Sequence, residues 1–522
     1  MKLKFKCLTQ AIKVGITMKK LIVCLLTMAI CFNVAFAVKA FRQEFKMNKS
    51  SYVPFDATTV LTLECPDAEG AKWLKAHFAE WFGDASPKVV EGVTALALPE
   101  PPADAGADKH IATYDEAYAA KVDASGVKIK TRTLAGVRWA GNTLRQLAIA
   151  KRGTFKVEGR ILPELTIVDK PHLAFRAVHL CWFPETRGEQ IERAIRLAAL
   201  FKFNYAIIEP WGTYKSEKNP WFSWPQAPLD KAEVKRLVAI GRDLGITLIP
   251  QFNCYGHASF SRGISKKHST LDINPEYEPL FEPDGWVWCI MNPETQRVQR
   301  EIIAEMHEDF GNPPYFHIGC DEAFNAQSCP LCVKGSHSKQ LLKHLNGLSD
   351  FVKSRGARAM MWHDMLLDKN DPRWKNFVKF GSKESALILD SLSRDLIICD
   401  WQYSYDNMNK KHVAWPTISH FADKGLDVAG CPWRNYLDMM PMAEHIINKG
   451  GFGFIETTWH RLRGKEWENM YMSAAHAAWG SPVSHGVSFE RSLRLVGNDM
   501  KVKNYLDTGH INYQIPPSYN GD

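Results

Sequence analysis

The stretch Pro314-Tyr315-Phe316-His317-Ile318-Gly319-Cys320-Asp321-Glu322 begins as an aromatic, apolar strand and ends in two adjacent carboxylates. A long helical pattern follows. Like charges this close push their pKa values apart, so one carboxyl can hold its proton at neutral pH while the other stays ionised. That division suits a glycosidase, which needs a proton donor beside an anionic partner. An Asp-Glu dipeptide alone means little, but this one leaves the end of a strand. Successive strand residues face opposite ways, so both carboxylates reach one pocket only where the backbone turns as it leaves the strand.

The same rhythm continues on both sides. Strand-like segments lie near 174–181, 204–209, 246–252, 314–319, 357–362, 396–401, 426–431 and 452–459. Helical patterns alternate with them, among them Glu189 to Phe201, Lys231 to Leu244, Thr295 to Phe310 and Ser336 to Arg355. Eight βα steps predict a (β/α)8 TIM barrel over residues 166–485, with a doubly wound sheet as the alternative. Arg176, Glu209, Gln251, Asp321, Glu322, Trp362, Trp401 and Trp459 fall within or just beyond predicted strands. Barrel strands deliver their ends to one mouth, so these residues are expected to converge there.

A small α+β domain is expected ahead of the barrel, over residues 48–165. Residues 58–63 alternate like a strand, Ala68 to Phe82 reads as a helix, and Val90 to Leu98 and Ala119 to Ile129 read as further strands. Gly136 to Ala150 reads as a helix with Val137, Ala140, Leu144 and Leu147 on one face. Residues 486–522 read as a C-terminal tail. At the other end, Lys19-Lys20, the apolar run Leu21 to Ile30 and Ala35-Phe36-Ala37 have the form of an export leader over 1–37. This predicts a secreted or periplasmic protein with no stable membrane span after leader removal, since no later run is long and apolar enough.

The 522 residues carry a formal charge of +8, part of it in the leader, and no basic stripe interleaved with aromatics. Nucleic acid is therefore not an expected partner. Neither a phosphate-binding loop nor a dinucleotide glycine signature is present, and no cofactor is expected. Three of the twelve cysteines, Cys7, Cys24 and Cys31, lie in or before the leader, and the other nine are too sparse for a disulfide scaffold. Cys329-Pro330-Leu331-Cys332 leaves three readings open: a local disulfide, free thiols, or a metal staple completed by distant Cys or His. No second pair stands nearby in sequence, and no metal is expected in the active site.

Glu322 is the candidate general acid and Asp321 its partner. His257, just after the third strand, is placed to orient a carboxylate or touch sugar. His317 either packs beneath the pocket with its nitrogens satisfied internally or takes a direct part in the site, and Cys320 is expected to act as packing. Trp362, Trp401 and Trp459 end three separate strands and together make an apolar wall for the C–H faces of a sugar. Trp211, Trp221 and Trp224 on the second βα loop are candidates for outer subsites. Arg176 offers a fork of donors for vicinal hydroxyls. Tyr436 and Asp438 sit two apart, as on one face of an extended segment, where Tyr donates to a carbonyl and Asp accepts from hydroxyls.

These residues resemble glycoside hydrolase family 20, the β-N-acetylhexosaminidases, whose hallmark is a His-x-Gly-Gly-Asp-Glu segment. The resemblance rests on His317 to Glu322, Phe175-Arg176, Gly256-His257, the strand-end tryptophans and Tyr436-x-Asp438. It implies an exo-acting retaining enzyme acting on glycans or glycoconjugates, in which the substrate's own 2-acetamido oxygen attacks the anomeric carbon to give an oxazolinium-type intermediate. It implies that Glu322 protonates the leaving oxygen and then activates water, that Asp321 holds the acetamido N–H, and that Tyr436 binds the acetamido oxygen. Arg176 and Asp438 would hold hydroxyls, with Glu209 and His257 also at the sugar, and Trp362, Trp401 and Trp459 would box the ring. The chain departs from the family at Cys320 in place of the second glycine, at Pro250-Gln251 where the family has Pro-Glu, at Glu209-Pro210-Trp211, and at His460-Arg461 where an acidic residue is usual. Arg461 implies a preference for an anionic or otherwise substituted ring. The alternatives are a related glycosidase of different specificity and an inactive glycan-binding protein.

Overall fold

Seven strands form the first sheet: β1 (Glu44–Pro54), β2 (Val60–Glu64), β3 (Lys88–Glu91), β4 (Tyr118–Asp123), β5 (Gly126–Thr131), β6 (Ile149–Arg152) and β7 (Val157–Asp169). Their order is β1-β7-β4-β5-β2-β3, with β6 alongside β7. The computed structural model describes residues 44–501 apart from 104–107, 153–156, 185, 224–228, 260–269, 375–377, 404–414, 434–435, 460–466, 468 and 481–486. The expected leader, Trp224 and Arg461 lie outside the described residues.

The segment 119–129, read as strand, is a hairpin. It reverses at Ala124-Ser125, where the Asp123 carboxylate accepts the Ser125 N–H at 2.8 Å. Strand β7 escaped the sequence reading because Gly159 and Pro163 interrupt its pattern. It runs past residue 165 and pairs with β4 as far as Asp169 opposite Tyr118. Two helices serve this sheet, α1 (Ala68–Phe82) and α2 (Leu134–Leu147). The Asp67 side chain caps α1, and Gly83, at φ 59°, ends it. Helix α2 is buried on more than its apolar face. Asn142 and Gln146 donate to the Ala199 and Leu200 carbonyls at 3.1 and 2.8 Å, so this helix caps the end of the first barrel helix, α3 (Gly188–Leu200).

The barrel strands are β8 (Phe175–Trp182), β9 (Tyr205–Pro210), β10 (Thr247–Pro250), β11 (Tyr315–His317), β12 (Arg358–Trp362), β13 (Ile397–Trp401), β14 (Asp427–Cys431) and β15 (Gly453–Thr457). All eight pair in parallel, in the order β10-β9-β8-β15-β14-β13-β12-β11. A parallel bridge between Gln251 and His317 closes the ring, and the Phe252 N–H donates to the His317 carbonyl at 2.9 Å. Helices α4 (Lys231–Leu244), α5 (Pro293–Asp309), α6 (His337–Ser354), α7 (Pro416–Asp423), α8 (Tyr436–Asn448) and α9 (Ala474–Trp479) follow β9, β10, β11, β13, β14 and β15. Asp230 caps α4, and Asn292 caps α5 with Pro293 at its first position. Phe175, Ile207, Ile249, Met360, Ile397 and Ile455 help fill the interior. The expected tail opens with a further helix, α10 (Phe489–Asp499), which buries Phe489, Leu493 and Val496 and pairs Asp499 with Arg145. Among the described residues, no helix is long and apolar enough to cross a membrane.

Arg176 does not reach the mouth. It is the second residue of β8, at the opposite end of the barrel. The strand it opens continues to Trp182. Its guanidinium is 1% exposed and holds both Glu116 oxygens, at 3.0 and 2.5 Å. It also donates to the carbonyls of Lys202 and Leu173 and lies over the Trp479 ring. The expectation that it binds sugar hydroxyls is overturned, because the guanidinium is buried away from the mouth and held there by Glu116 and two backbone carbonyls. Arg176→Met is expected to lower stability by about 3 kcal/mol, the cost of breaking a buried pair. In the fraction that remains folded, KM should be unchanged. Thermal denaturation beside steady-state kinetics checks this, and a raised KM at unchanged stability would reverse the assignment.

Candidate active site

Strand β11 stops at His317, and the chain then turns hard. Gly319, Cys320 and Glu322 all take left-handed backbone angles, with φ of 64°, 76° and 51°. This turn brings Asp321 and Glu322, which a continuing strand would point apart, to one histidine. His257 Nε2 lies 3.3 Å from an oxygen of each carboxylate. His257 is itself left-handed, at φ 57°. The two loops meet so closely that a Cβ on Gly256 would lie 1.8 Å from the Asp321 carbonyl oxygen. A Cβ on Gly319 would lie 2.1 Å from Asn253 Oδ1. These two glycines are required by contact rather than by turn type alone.

Burial disfavours charge on both His257 and Asp321, and their pairing opposes it. Burial alone lowers the histidine pKa, but the Asp321 and Glu322 carboxylates outweigh it and lift the value to about 10. Asp321 is raised by burial and by the nearby Glu322 and Glu209 charges, against the pull of His257. Its Oδ1 is buried with no hydrogen-bond partner among the described residues, an acceptor for a ligand donor to satisfy. Glu322 is more open, with a side chain 31% exposed. Its backbone is fixed on both sides. The N–H donates to Asp364 Oδ2 at 2.9 Å, and the carbonyl accepts the Trp286 indole N–H at 2.8 Å. Asp364 is fully buried, and burial holds its carboxyl well above the usual range, with Asp321 and Glu322 adding to the shift.

A histidine whose folded pKa is raised stabilises the fold fully below its unfolded value of about 6.5, and that contribution is lost as pH rises toward 10. The charged groups facing it are Asp321, Glu322 and, further off, Glu209. The melting temperature is expected to fall across pH 7 to 10 more steeply in the parent than in His257→Asn. Parallel melts across that range check it; equal slopes would show that the imidazolium is not the stabilising species.

Trp362, Trp401 and Trp459 do assemble at the mouth. Trp362 and Trp459 have ring centroids 5.5 Å apart, and Trp401 stacks on Tyr403 at 5.3 Å. Trp459 turns in with φ 45° and donates its indole N–H to the Tyr403 hydroxyl at 2.8 Å. The indole nitrogens of Trp362 and Trp401 have no partner among the described residues. His317 is buried beneath Trp362 and accepts the Gly319 N–H through Nδ1, while its Nε2 has no partner among the described residues. Burial holds it well below the usual histidine range, so it stays neutral. Cys320 is fully buried, its thiol donating to the Ile318 carbonyl.

Glu209 is the penultimate residue of β9, at the floor of the mouth. One oxygen is shared by His179 Nε2 at 3.1 Å and the Cys181 thiol, and the other accepts from Asn253 at 2.8 Å. Burial raises its pKa, but the His179 and Asn253 hydrogen bonds and the His257 charge win and lower it. The donors of His179, Cys181 and Glu209 lie within 4.8 Å of one another, as do those of Cys289, Cys329 and Cys332. Trp211 packs inward beside His257, and Trp221 stacks on Tyr277. Tyr436 and Asp438 do not lie on an extended segment. They occupy the first turn of α8, where residues two apart point to different sides. Asp438 is buried, and the Tyr436 side chain lies outside the described residues.

Several site residues went unread. Tyr403, Trp286, Asn253, His179 and Asp364 each hold a named group of the site, but each is a single polar or aromatic residue with no local pattern. For Tyr403, the one available signal was its place two residues beyond a predicted strand end.

An eight-stranded parallel barrel with paired carboxylates and a tryptophan wall at its mouth defines a glycoside-processing enzyme class. The catalytic-domain model of glycosyl hydrolase family 20 matches residues 205–473, slightly more than half of the chain. The chain belongs to that family. It is 23% identical over 398 residues to a beta-hexosaminidase of Vibrio furnissii, covering 67% of this chain and 60% of the relative. It is 21% identical over 393 residues to a chitooligosaccharidolytic beta-N-acetylglucosaminidase of Ostrinia furnacalis, covering 70% and 57%. The chain thus spans less than two thirds of these curated relatives. Among solved structures it resembles an exo beta-N-acetylglucosaminidase of Vibrio harveyi, with TM-score 0.61, 16% identity and coverage of 89% and 76%. It also resembles a beta-N-acetylhexosaminidase of Bacteroides fragilis, with TM-score 0.59, 16% identity and coverage of 84% and 90%. At such identities these likenesses concern the fold.

Proposed function

We propose that the protein hydrolyses terminal β-linked N-acetylhexosamine from glycans, with retention and with the substrate's acetamido group as nucleophile. One observation carries the reading: His257 gathers Asp321 and Glu322, yet leaves Asp321 Oδ1 buried without a partner among the described residues. A carboxylate oxygen with no donor, in a site walled by indoles, suits an acetamido N–H that becomes more acidic as the oxazolinium ring forms. Glu322, the more open of the pair, protonates the leaving oxygen and then takes a proton from water. Only one protein carboxylate then transfers protons, as substrate-assisted retention requires.

Tyr436 keeps its proposed part on the acetamido oxygen; support comes from its place at the start of α8, on the mouth side of β14. Asp438 and Glu209 shape the hydroxyl side, and Trp362, Trp401 and Trp459 the apolar walls. The exo mode comes from kinship with enzymes such as that of Vibrio harveyi. Export to the periplasm or beyond rests on the leader-like segment.

The test is hydrolysis of aryl β-N-acetylglucosaminide and β-N-acetylgalactosaminide beside the matching β-glucoside. Cleavage of the acetamido sugars alone supports the reading. Turnover of the plain glucoside at a comparable rate would overturn substrate assistance, because that sugar carries no internal nucleophile.

A further inference from the structure

Three buried sulfurs meet behind the catalytic loop. Cys329 and Cys332 come from the Cys-Pro-Leu-Cys turn after β11. Cys289, 40 residues before Cys329 in the chain, ends a hairpin-like loop that reaches the same point. Cys289 Sγ lies 3.3 Å from Cys329 Sγ and 3.6 Å from Cys332 Sγ, and all three residues are at most 6% exposed. The thiols are unbonded to one another.

We infer that Cys289, Cys329 and Cys332 form a structural zinc site that staples the two loops holding the active-site wall. With Zn–S bonds of about 2.3 Å, tetrahedral sulfurs sit about 3.8 Å apart, close to the spacings found. A backbone N–H also aims at the sulfurs: that of Cys332 lies 3.3 Å from Cys329 Sγ. Such a donor stabilises thiolate charge; a disulfide does not need it. A disulfide between any two of the sulfurs would also strand the third in the core. Soft thiolates select Zn²⁺ among the common divalent ions. On binding, each thiol releases its proton.

The staple has an evident object. The Cys289 loop carries Trp286, whose indole holds the Glu322 carbonyl. The Cys329 loop descends directly from Glu322. The Glu282 carboxylate already ties the loops together by accepting the N–H groups of Ser328 and Cys329, at 2.9 and 2.5 Å. The zinc adds a second tie below it. This role is independent of the sugar chemistry proposed above.

The test uses the full chain, purified without added metal and desalted. Elemental analysis is expected to find one zinc ion per chain, and none in Cys332→Ser. Chelation should lower the melting temperature, and re-added Zn²⁺ should restore it. Cobalt loaded in place of zinc should show intense thiolate charge-transfer absorption in the near ultraviolet. That band reports the ligands even where a serine variant folds poorly. The inference is overturned by a metal-free protein with a mapped disulfide among the three cysteines, by three freely reactive thiols, or by metal that desalting removes. Hydrolysis of acetamido sugars by a zinc-free protein would leave the proposed function standing while removing the staple.

Discussion

Glu322→Gln is expected to lower kcat on a substrate with a poor leaving group by about 10²- to 10⁴-fold, the usual worth of a positioned general acid. An aryl glycoside with an acidic phenol needs little protonation, so its glycosylation step should suffer far less. The glutamine keeps the size of the side chain, and the backbone ties through Asp364 and Trp286 do not involve the carboxylate. Misfolding is therefore not the expected cause. Comparison of kcat/KM across aryl leaving groups of graded acidity gives the decisive slope. A steeper dependence on leaving group than in the parent supports the role. Equal losses on every substrate would remove Glu322 from proton transfer.

Asp321→Asn is expected to cost about 10²- to 10³-fold in kcat on both kinds of substrate, comparable to the loss of one preorganised electrostatic group. The acetamido nitrogen gains positive charge as the ring closes, whatever the leaving group. The neutral amide cannot offset that charge, and it leaves His257 with only the Glu322 carboxylate at 3.3 Å. The pH dependence of kcat should therefore change as well as its height. Burst and steady-state measurements on the activated and unactivated substrates check this. A loss confined to poor leaving groups would exchange the roles assigned to the two carboxylates.

The barrel was legible because its strands are short apolar runs set between long helical patterns. All eight lie within two residues of the predicted ends on the starting side. What could not be read was direction and depth within a strand. Arg176 and Trp362 both sit in predicted strands, but one begins its strand and the other ends it, so they serve opposite ends of the barrel. The convergence of Asp321 and Glu322 was equally hidden. Cys320 and Glu322 are not residues that favour left-handed angles, and the close approach of Gly256 supplies the constraint from another loop. The third sulfur, at Cys289, joins a local motif from a distant part of the chain, and no spacing rule connects them. The Tyr436 and Asp438 pairing was misjudged because their segment turns helical immediately after β14.

The Glu116–Arg176 pair bears on how this protein can be taken apart. The first domain is no detachable ornament: Glu116, just ahead of β4, supplies the counter-ion for a guanidinium sealed at the barrel's base. Trp73 likewise serves the Asp243 carbonyl at the end of α4, and α2 serves the end of α3. A barrel produced alone would inherit a bare charge and several orphan carbonyls at its lower rim. Modularity in this architecture therefore belongs to the loops at the mouth, which can be exchanged, while the floor is shared property of both halves and must be inherited whole.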